Sequence, residues 1–399
     1  MFRALWVGST VSNLGDGIRL AALPLLAEAI TGSPALIAGL TSAQYTPWLV
    51  FGPVGGALVD RWRRRETILV VQTLRALVMV SLALVVVADR AAIWQLYVVA
   101  ALITAGEILV DPAVGAVVPT VVPTERLEDA NSRTTSAELV ANELAGAPVG
   151  ALAFAWVPGL PFVLDALSYG LSTLPFSRLP TTARRRRRPV SGLRSEIAEG
   201  ARWLARHPVQ GPMTASVALF NLGWVFTPAL LVVLTQRTIG LSEPQFGLVL
   251  TAGAVGGVLG AALAGRTHRR FGRRATVVAG AALQALVTLA VAGSSSPLAL
   301  VVLWFLSGIP MGLLVPVLRA LQQRLTPTEL LGRVNTASRT ITRGAMMAGA
   351  TIAGVVAEAT TTRAAIASGA AVQAVGAALL WIALGRLCGD GDPPVGSMP

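Results

Sequence analysis

The sequence predicts an all-α membrane protein with twelve transmembrane helices in two parallel six-helix repeats, and three observations carry that reading. Of the 399 residues, 54% are hydrophobic and 13% charged, whereas a soluble globular chain carries roughly 25% charged residues. Apolar stretches of roughly 20 residues, the length that crosses a bilayer, recur from end to end. Short motifs of the first half return in the same order in the second. A mean hydropathy of +0.66 and the 40 glycines and 24 prolines agree with helices solvated by lipid, where both residues are commoner than in soluble helices.

The predicted spans cover 4–31, 35–58, 67–87, 94–117, 131–157 and 161–177 in the first half. The second half supplies 213–235, 244–264, 275–293, 297–317, 334–357 and 364–384. Glycine and proline punctuate the turns, as in Thr31-Gly32-Ser33-Pro34, Val157-Pro158-Gly159 and Gly293-Ser294-Ser295-Ser296-Pro297. The first apolar stretch is too long for a cleaved leader and lacks a small-residue cleavage site, so it reads as a retained helix.

All 32 basic residues are arginine, and the net charge is +12. In a soluble chain that balance would suggest nucleic acid. Here the arginines stand in short blocks between apolar stretches, which argues for membrane topology and against a nucleic-acid partner. With the N-terminus placed in the cytoplasm and connections alternating, Arg3, the Arg61 to Arg65 block, Arg126, Arg133, Arg178 and Arg184 to Arg188 fall inside. So do the blocks at Arg266 to Arg274 and Arg319 to Arg339; only Arg90, Arg237 and Arg363 fall outside. The asymmetry predicts a protein of the cell membrane with both termini cytoplasmic.

The longest polar connection divides the chain into a six-helix bundle at 1–180, a basic linker at 181–211, a second bundle at 212–385 and a tail at 386–399. Arg184 to Arg188 and the amphipathic stretch Leu193 to Leu204 serve either as a solvated topology signal or as an anchor to anionic membrane lipid. Cys388 is the single cysteine, and His207 and His268 are the only histidines. An intrachain disulfide is therefore excluded, and a zinc site lacks donors. Without lysine no Walker-type ATP site exists. No cofactor is implied, and the chain is expected to be a monomer.

Asn13-Leu14-Gly15 returns as Asn221-Leu222-Gly223, and Gly56-Ala57 returns as Gly260-Ala261. Pro123-Thr124-Glu125, Asn131 and Gly150 return as Pro327-Thr328-Glu329, Asn335 and Gly354. Repeats of six helices each run parallel about an axis along the membrane normal, with a solute path between them.

The segment Gly56-Ala57-Leu58-Val59-Asp60-Arg61-Trp62-Arg63-Arg64-Arg65 resembles the loop signature between the second and third helices of the major facilitator superfamily, with Arg63 where glycine is usual. Gly56 allows close helix approach, and Asp60 at a helix end can pair with arginines or with the positive N-terminus of another helix. Gly56, Asp60, Arg61, Arg64 and Arg65 are accordingly gating candidates; the bland alternative is that the arginines only set topology.

A narrower resemblance joins Asp111-Pro112-Ala113, Pro119, Val122-Pro123, Glu125, Leu127, Ala130-Asn131, Glu138 to Asn142 and Gly332-Arg333-Val334. Together they resemble the macrolide-efflux and enterobactin-exporter branch, and the likeness extends over essentially the whole chain. It implies proton-coupled export of a drug-like or siderophore-like molecule. The antiporter signature of the fifth span is only partly present: Gly146 and Gly150 match, Ala147 replaces proline, Pro148 follows it and Ala151 replaces the last glycine. Gly146, Pro148 and Gly150 are read as helix-packing residues.

Ionisable side chains inside the spans are costly unless paired or hydrated, so each is a candidate site. Asp16 lies near the middle of the first span, with Arg19 three residues on along the same face; the pair is either an internal salt bridge or a proton or substrate site. Glu107 is similarly deep in the fourth span, with Asp111 one turn nearer the cytoplasm. Glu107, Asp16 and Asp111 are the proton-coupling candidates. Asn13, Arg19, Asn142, Glu143, Asn221 and Trp224 are candidates for the wall of a substrate cavity, and Arg75, Asp165 and Arg343 are intramembrane charges without assigned partners.

The function class is thus a secondary active transporter, with exchange of protons for an outgoing small molecule favoured. An importer or facilitator on the same architecture is the alternative, because fold does not set direction. A membrane-embedded enzyme is disfavoured, since no nucleophile-and-base constellation is present.

Overall fold

The computed structural model describes residues 1–52, 62–180 and 193–385. Thirteen helices are seen among them: α1 (Phe2–Ile30), α2 (Pro34–Val50), α3 (Arg64–Val87), α4 (Ile93–Val121), α5 (Thr124–Trp156), α6 (Leu160–Phe176), α7 (Leu193–Arg206), α8 (Gln210–Ile239), α9 (Glu243–Phe271), α10 (Arg273–Gly293), α11 (Pro297–Leu325), α12 (Leu331–Ala359) and α13 (Thr362–Gly385). Nine of the helices in the described residues are long and apolar enough to cross a membrane: α3, α4, α5 and α8 to α13. The remaining three at predicted spans are α1, whose apolar run is diluted by Asn13, Asp16 and Arg19, and the 17-residue helices α2 and α6.

The turns follow from local chemistry. Pro34 and Pro297 stand at the first helical position, where the missing N–H costs nothing. Gly272, between α9 and α10, takes φ of +80°, a conformation that side chains with a Cβ rarely adopt.

The chain divides into two compact units. Unit 1 comprises Met1–Gly32, Thr46–Val190 and Gly240–Thr251. In it α1 packs on α5 and α6, and α3 packs on α4 and α6. Leu5, Ile68, Ala113, Val117, Val118 and Phe176 close the core toward one end. Unit 2 comprises Ser33–Tyr45, Ser191–Ile239 and Ala252–Pro399. Here α8 packs on α12 and α13, and α10 packs on α11 and α13. These are the same four pairings in the same chain order, as expected of an internal repeat.

The amphipathic stretch of the linker is α7, and it docks on α12. Leu204 is buried with Val334 and Ala337, and Glu199 pairs with Arg333 at 2.6 Å.

Small residues set how closely α1 is held. A Cβ on Gly17 would meet the Asn142 carbonyl oxygen at 2.0 Å, and one on Gly150 would meet that of Ile18 at 2.2 Å. Backbone therefore touches backbone along α1 and α5, the usual means of helix association in a solvent that gives no hydrophobic drive.

Candidate functional site

Close packing of α1 brings two of its side chains into the interior of unit 1, where both are charged. Asp16 and Arg19 are one turn apart on α1 and joined at 2.9 Å. Arg19 also reaches Glu107 of α4, at 2.8 Å. Arg75 of α3 enters from the other side, 2.7 Å from Asp16 and 3.3 Å from Glu107. Gly106 makes the room: a Cβ there would lie 2.9 Å from the Arg75 Cδ. The guanidinium of Arg75 also lies over the Tyr169 ring, 4.1 Å from its centroid, and Tyr169 donates its hydroxyl to Asp16 Oδ1 at 2.5 Å.

Asp16 Oδ1 thus accepts from Arg19, Arg75 and Tyr169. Three donors on one oxygen, two of them cationic, mark an ionised carboxylate. Gln72 extends the network. Its amide oxygen accepts from Arg75 at 3.0 Å, and its nitrogen donates to Ser12 and Ser172 at 2.8 and 3.0 Å. Asp165 of α6 completes the cluster, with Oδ2 3.5 Å from Arg19 Nε.

Exposure separates the members. The side chains of Arg75 and Arg19 are 4% and 8% exposed and that of Asp165 is fully buried, whereas Glu107 is 29% exposed. Glu107 is therefore the most exposed acid of the network.

At the matching positions unit 2 is uncharged, and its intramembrane arginine, Arg343 of α12, lies over the Tyr45 ring at 5.4 Å. Counting from Arg64-Arg65 and their repeat-mates Arg273-Arg274, Gln284 stands where Arg75 does. Gly15 packs on Asp165 and Ser168, and its mate Gly223 packs on Gly369 and Val372. The groups around Gln284 are neutral: Gln284 donates to Ser307 at 2.8 Å and Gln373 to Thr288 at 3.2 Å.

Residues 1–388 match the transmembrane secretion effector family. The chain belongs to that family, within the major facilitator superfamily. It is 26% identical over 366 residues to the MFS-type transporter YfiS of Bacillus subtilis, covering 89% of this chain and 86% of the relative. It is 29% identical to the multidrug efflux pump Tap of Mycolicibacterium fortuitum, covering 84% and 82%. The macrolide efflux protein A of Streptococcus pyogenes is 25% identical over 181 residues, 45% of either chain. The crystal structure of the nucleoside transporter NupG shares the fold at a TM-score of 0.78 and 12% identity, over 96% of this chain and 98% of that one. The chain is accordingly an integral membrane transporter, and neither the family nor these relatives are enzymes.

Within this major facilitator chain the other expected residues fall as follows. Asp111, one turn from Glu107 on α4, is exposed. Arg19, a cavity-wall candidate, is enclosed by the carboxylates of Asp16 and Glu107, as a buried guanidinium must be surrounded by acceptors. Arg64 donates to the Ala116 carbonyl of α4 at 2.9 Å, and Arg65 is half-buried. Gly56, Asp60 and Arg61 lie outside the described residues.

Gly146 sits against Gly17 and Gly150 against Ile18, while Pro148 meets Gly247. Asn142 and Glu143 lie on a π-helical turn, Val140–Gly146, of the kind that often marks functional sites. Asn13 and Asn142 are half-buried and Glu143 exposed in unit 1; Asn221 and Trp224 are half-buried in unit 2. A groove of about 870 Å³ runs between α1 and α5, lined by Trp6, Thr10, Val11, Leu14, Ser136 and Val140.

Asp165, Tyr169 and Gln72 have no role assigned from sequence. Arginines at 19 and 75 inside apolar spans require acids nearby, and that demand is the signal that points to Asp165.

Proposed function

We propose that the protein exports amphipathic, drug-like small molecules by alternating access, driven by inward movement of protons. The observation that carries this reading is the joint hold of Arg19 and Arg75 on Asp16 and Glu107, with Glu107 alone substantially exposed. A carboxylate in that position can trade its arginine contacts for a proton or for a cationic group of the solute, which makes the two ligands competitors. The groove between α1 and α5 suits an amphipathic solute. An indole, aliphatic side chains and hydroxyls line about 870 Å³, inside the range for sites that hold small organic molecules. Two relatives bear the names of a macrolide efflux protein and a multidrug efflux pump.

In this reading Glu107 and Asp16, through the arginines they share, couple solute to protons, and Asp111 lies on the proton's way to the cytoplasm. Gly56, Asp60, Arg61, Arg64 and Arg65 form the cytoplasmic gate. Asn13, Asn142, Glu143, Asn221 and Trp224 contact the solute. The protein works as a monomer in the cell membrane with both termini inside, an arrangement that reporter fusions after Arg187 and near Ser295 test directly.

The deciding experiment is expression in an efflux-deficient host exposed to a panel of antibiotics and dyes. Accumulation is measured with and without a proton uncoupler. Lower accumulation that the uncoupler reverses supports export; raised accumulation means import and overturns the reading.

A further inference from the structure

The cluster in unit 1 holds three carboxyl groups and two guanidinium groups: Asp16, Glu107 and Asp165 against Arg19 and Arg75. Asp16 and Glu107 each accept from both arginines, so these four groups close a neutral square. Asp165 is a fifth group whose nearest cation, Arg19 at 3.5 Å, is already held by that square, and its side chain is fully buried.

Its surroundings offer little to a negative charge. Oδ2 makes no hydrogen bond, and the Arg19 Nε that lies 3.5 Å away makes none either. The Ser168 hydroxyl lies 3.4 Å from Oδ1, but its single proton goes to the Asp165 carbonyl at 2.7 Å. From α1, Asp165 faces Asp16 and Arg19; from α3, Arg75; on its own helix, Tyr169, whose proton is given to Asp16. The adjoining stretch of α5, Ala147–Trp156, contributes no titratable group. Three carboxyl groups face two guanidiniums, and an ionised carboxylate whose donors stand no closer than 3.4 and 3.5 Å is more strongly disfavoured in such a place than the neutral acid.

We propose that Asp165 is a stored proton, and that Arg19 is the group that calls for its release. The proposal rests on the exporter reading for its direction and deepens it. When a cationic solute draws Glu107 away, Arg19 loses one of its partners and turns Nε toward Asp165. The O–H bond of Asp165 then breaks, its proton passes to water on the cytoplasmic side, and the carboxylate formed replaces Glu107 beside Arg19. The cluster's charge is conserved, one solute cation entering for one proton leaving. Reprotonation of Asp165 from outside returns Arg19 to Glu107 and frees the solute.

The test uses the purified full-length protein in lipid vesicles and does not depend on the identity of the natural solute. Infrared spectra at neutral pH should show a protonated-carboxyl C=O band that Asp165→Asn removes and Glu107→Gln retains. A band that survives in Asp165→Asn overturns the assignment. Thermal unfolding gives an independent reading. Replacing a neutral acid by its neutral amide should leave the midpoint within about 2 °C of the parent, and Asp165→Ser should behave similarly apart from lost packing. Stripping an ionised partner from a buried pair should instead lower it by roughly 5 °C or more, and that result for Asp165→Asn overturns the proposal.

Ethidium, a permanent organic cation, then probes the exchange. Adding it to weakly buffered vesicles should release protons and bleach the infrared band, and Asp165→Asn should do neither. Ethidium binding without loss of the band overturns the exchange with Arg19. Failure of the parent protein to bind any organic cation counts against the exporter reading, and the infrared band still decides whether Asp165 stores a proton.

Discussion

Arg19 Nη2 of α1 lies 2.8 Å from Glu107 Oε1 of α4, so two helices are tied through a carboxylate that is also 29% exposed. Glu107→Gln keeps the shape of the side chain and removes its charge, and with it the exchange of partners at Arg19 that couples solute to a proton. Vesicles carrying this variant should equilibrate a fluorescent substrate downhill yet fail to concentrate it when a pH gradient is imposed. Accumulation equal to that of the parent protein would remove Glu107 from the coupling machinery.

Asp16 sits deeper and holds more. Its Oδ1 accepts from Arg19, Arg75 and Tyr169, and its side chain is 11% exposed. Asp16→Asn takes from both buried guanidiniums the carboxylate they share, and breaking a buried pair by removing one partner costs about 3–5 kcal/mol. The variant should therefore lose stability as well as transport, both uphill and downhill. Thermal unfolding in detergent beside the vesicle assay checks this, and a stable variant that still equilibrates substrate would contradict it.

Much of this arrangement is legible in the sequence. Span positions follow from hydropathy alone; the stretch expected at 297–317 is the front of α11, and the one expected at 364–384 is nearly all of α13. The pairing of Asp16 with Arg19 can be read from their spacing, because residues three apart share a helix face. The capture of Arg75 and Asp165 cannot. Their partners are on other helices, and only packing through Gly15 and Gly106 brings α3, α4 and α6 to bear on one point. The π-helical turn at Val140–Gly146 is also invisible, since π turns have no sequence pattern comparable with a cap or a proline.

Asp60 tests the proposed cytoplasmic gate. Asp60→Asn should insert and fold while slowing transport, because an acid that latches the cytoplasmically closed state is lost. Coupling free energies of about 1–3 kcal/mol correspond to shifts of roughly 5- to 150-fold in such an equilibrium. Labelling of a cytoplasmic reporter cysteine should rise accordingly. Unchanged labelling and unchanged transport at matched expression would leave Asp60 as part of a topology signal.

The packing that builds the site makes a prediction of its own. Gly150 on α5 faces the backbone of α1, where an added Cβ would stand 2.2 Å from the Ile18 carbonyl oxygen. No side-chain rotation relieves that clash, so the helices must separate, and α1 carries Asp16 and Arg19. Gly170 on α6 is a control of the same chemistry, since a Cβ there meets nothing within 4 Å. Gly150→Ala should cost about 1–3 kcal/mol or more, as overpacking does, and should impair transport through displacement of the charge cluster. Gly170→Ala should be neutral or stabilise the helix by roughly 0.5–1 kcal/mol. Unfolding midpoints of the two variants, measured side by side with vesicle transport, give the comparison. Equal stability and equal transport would mean that α1 and α5 are not held together at this point, and the placement of Asp16 and Arg19 would lose its structural cause.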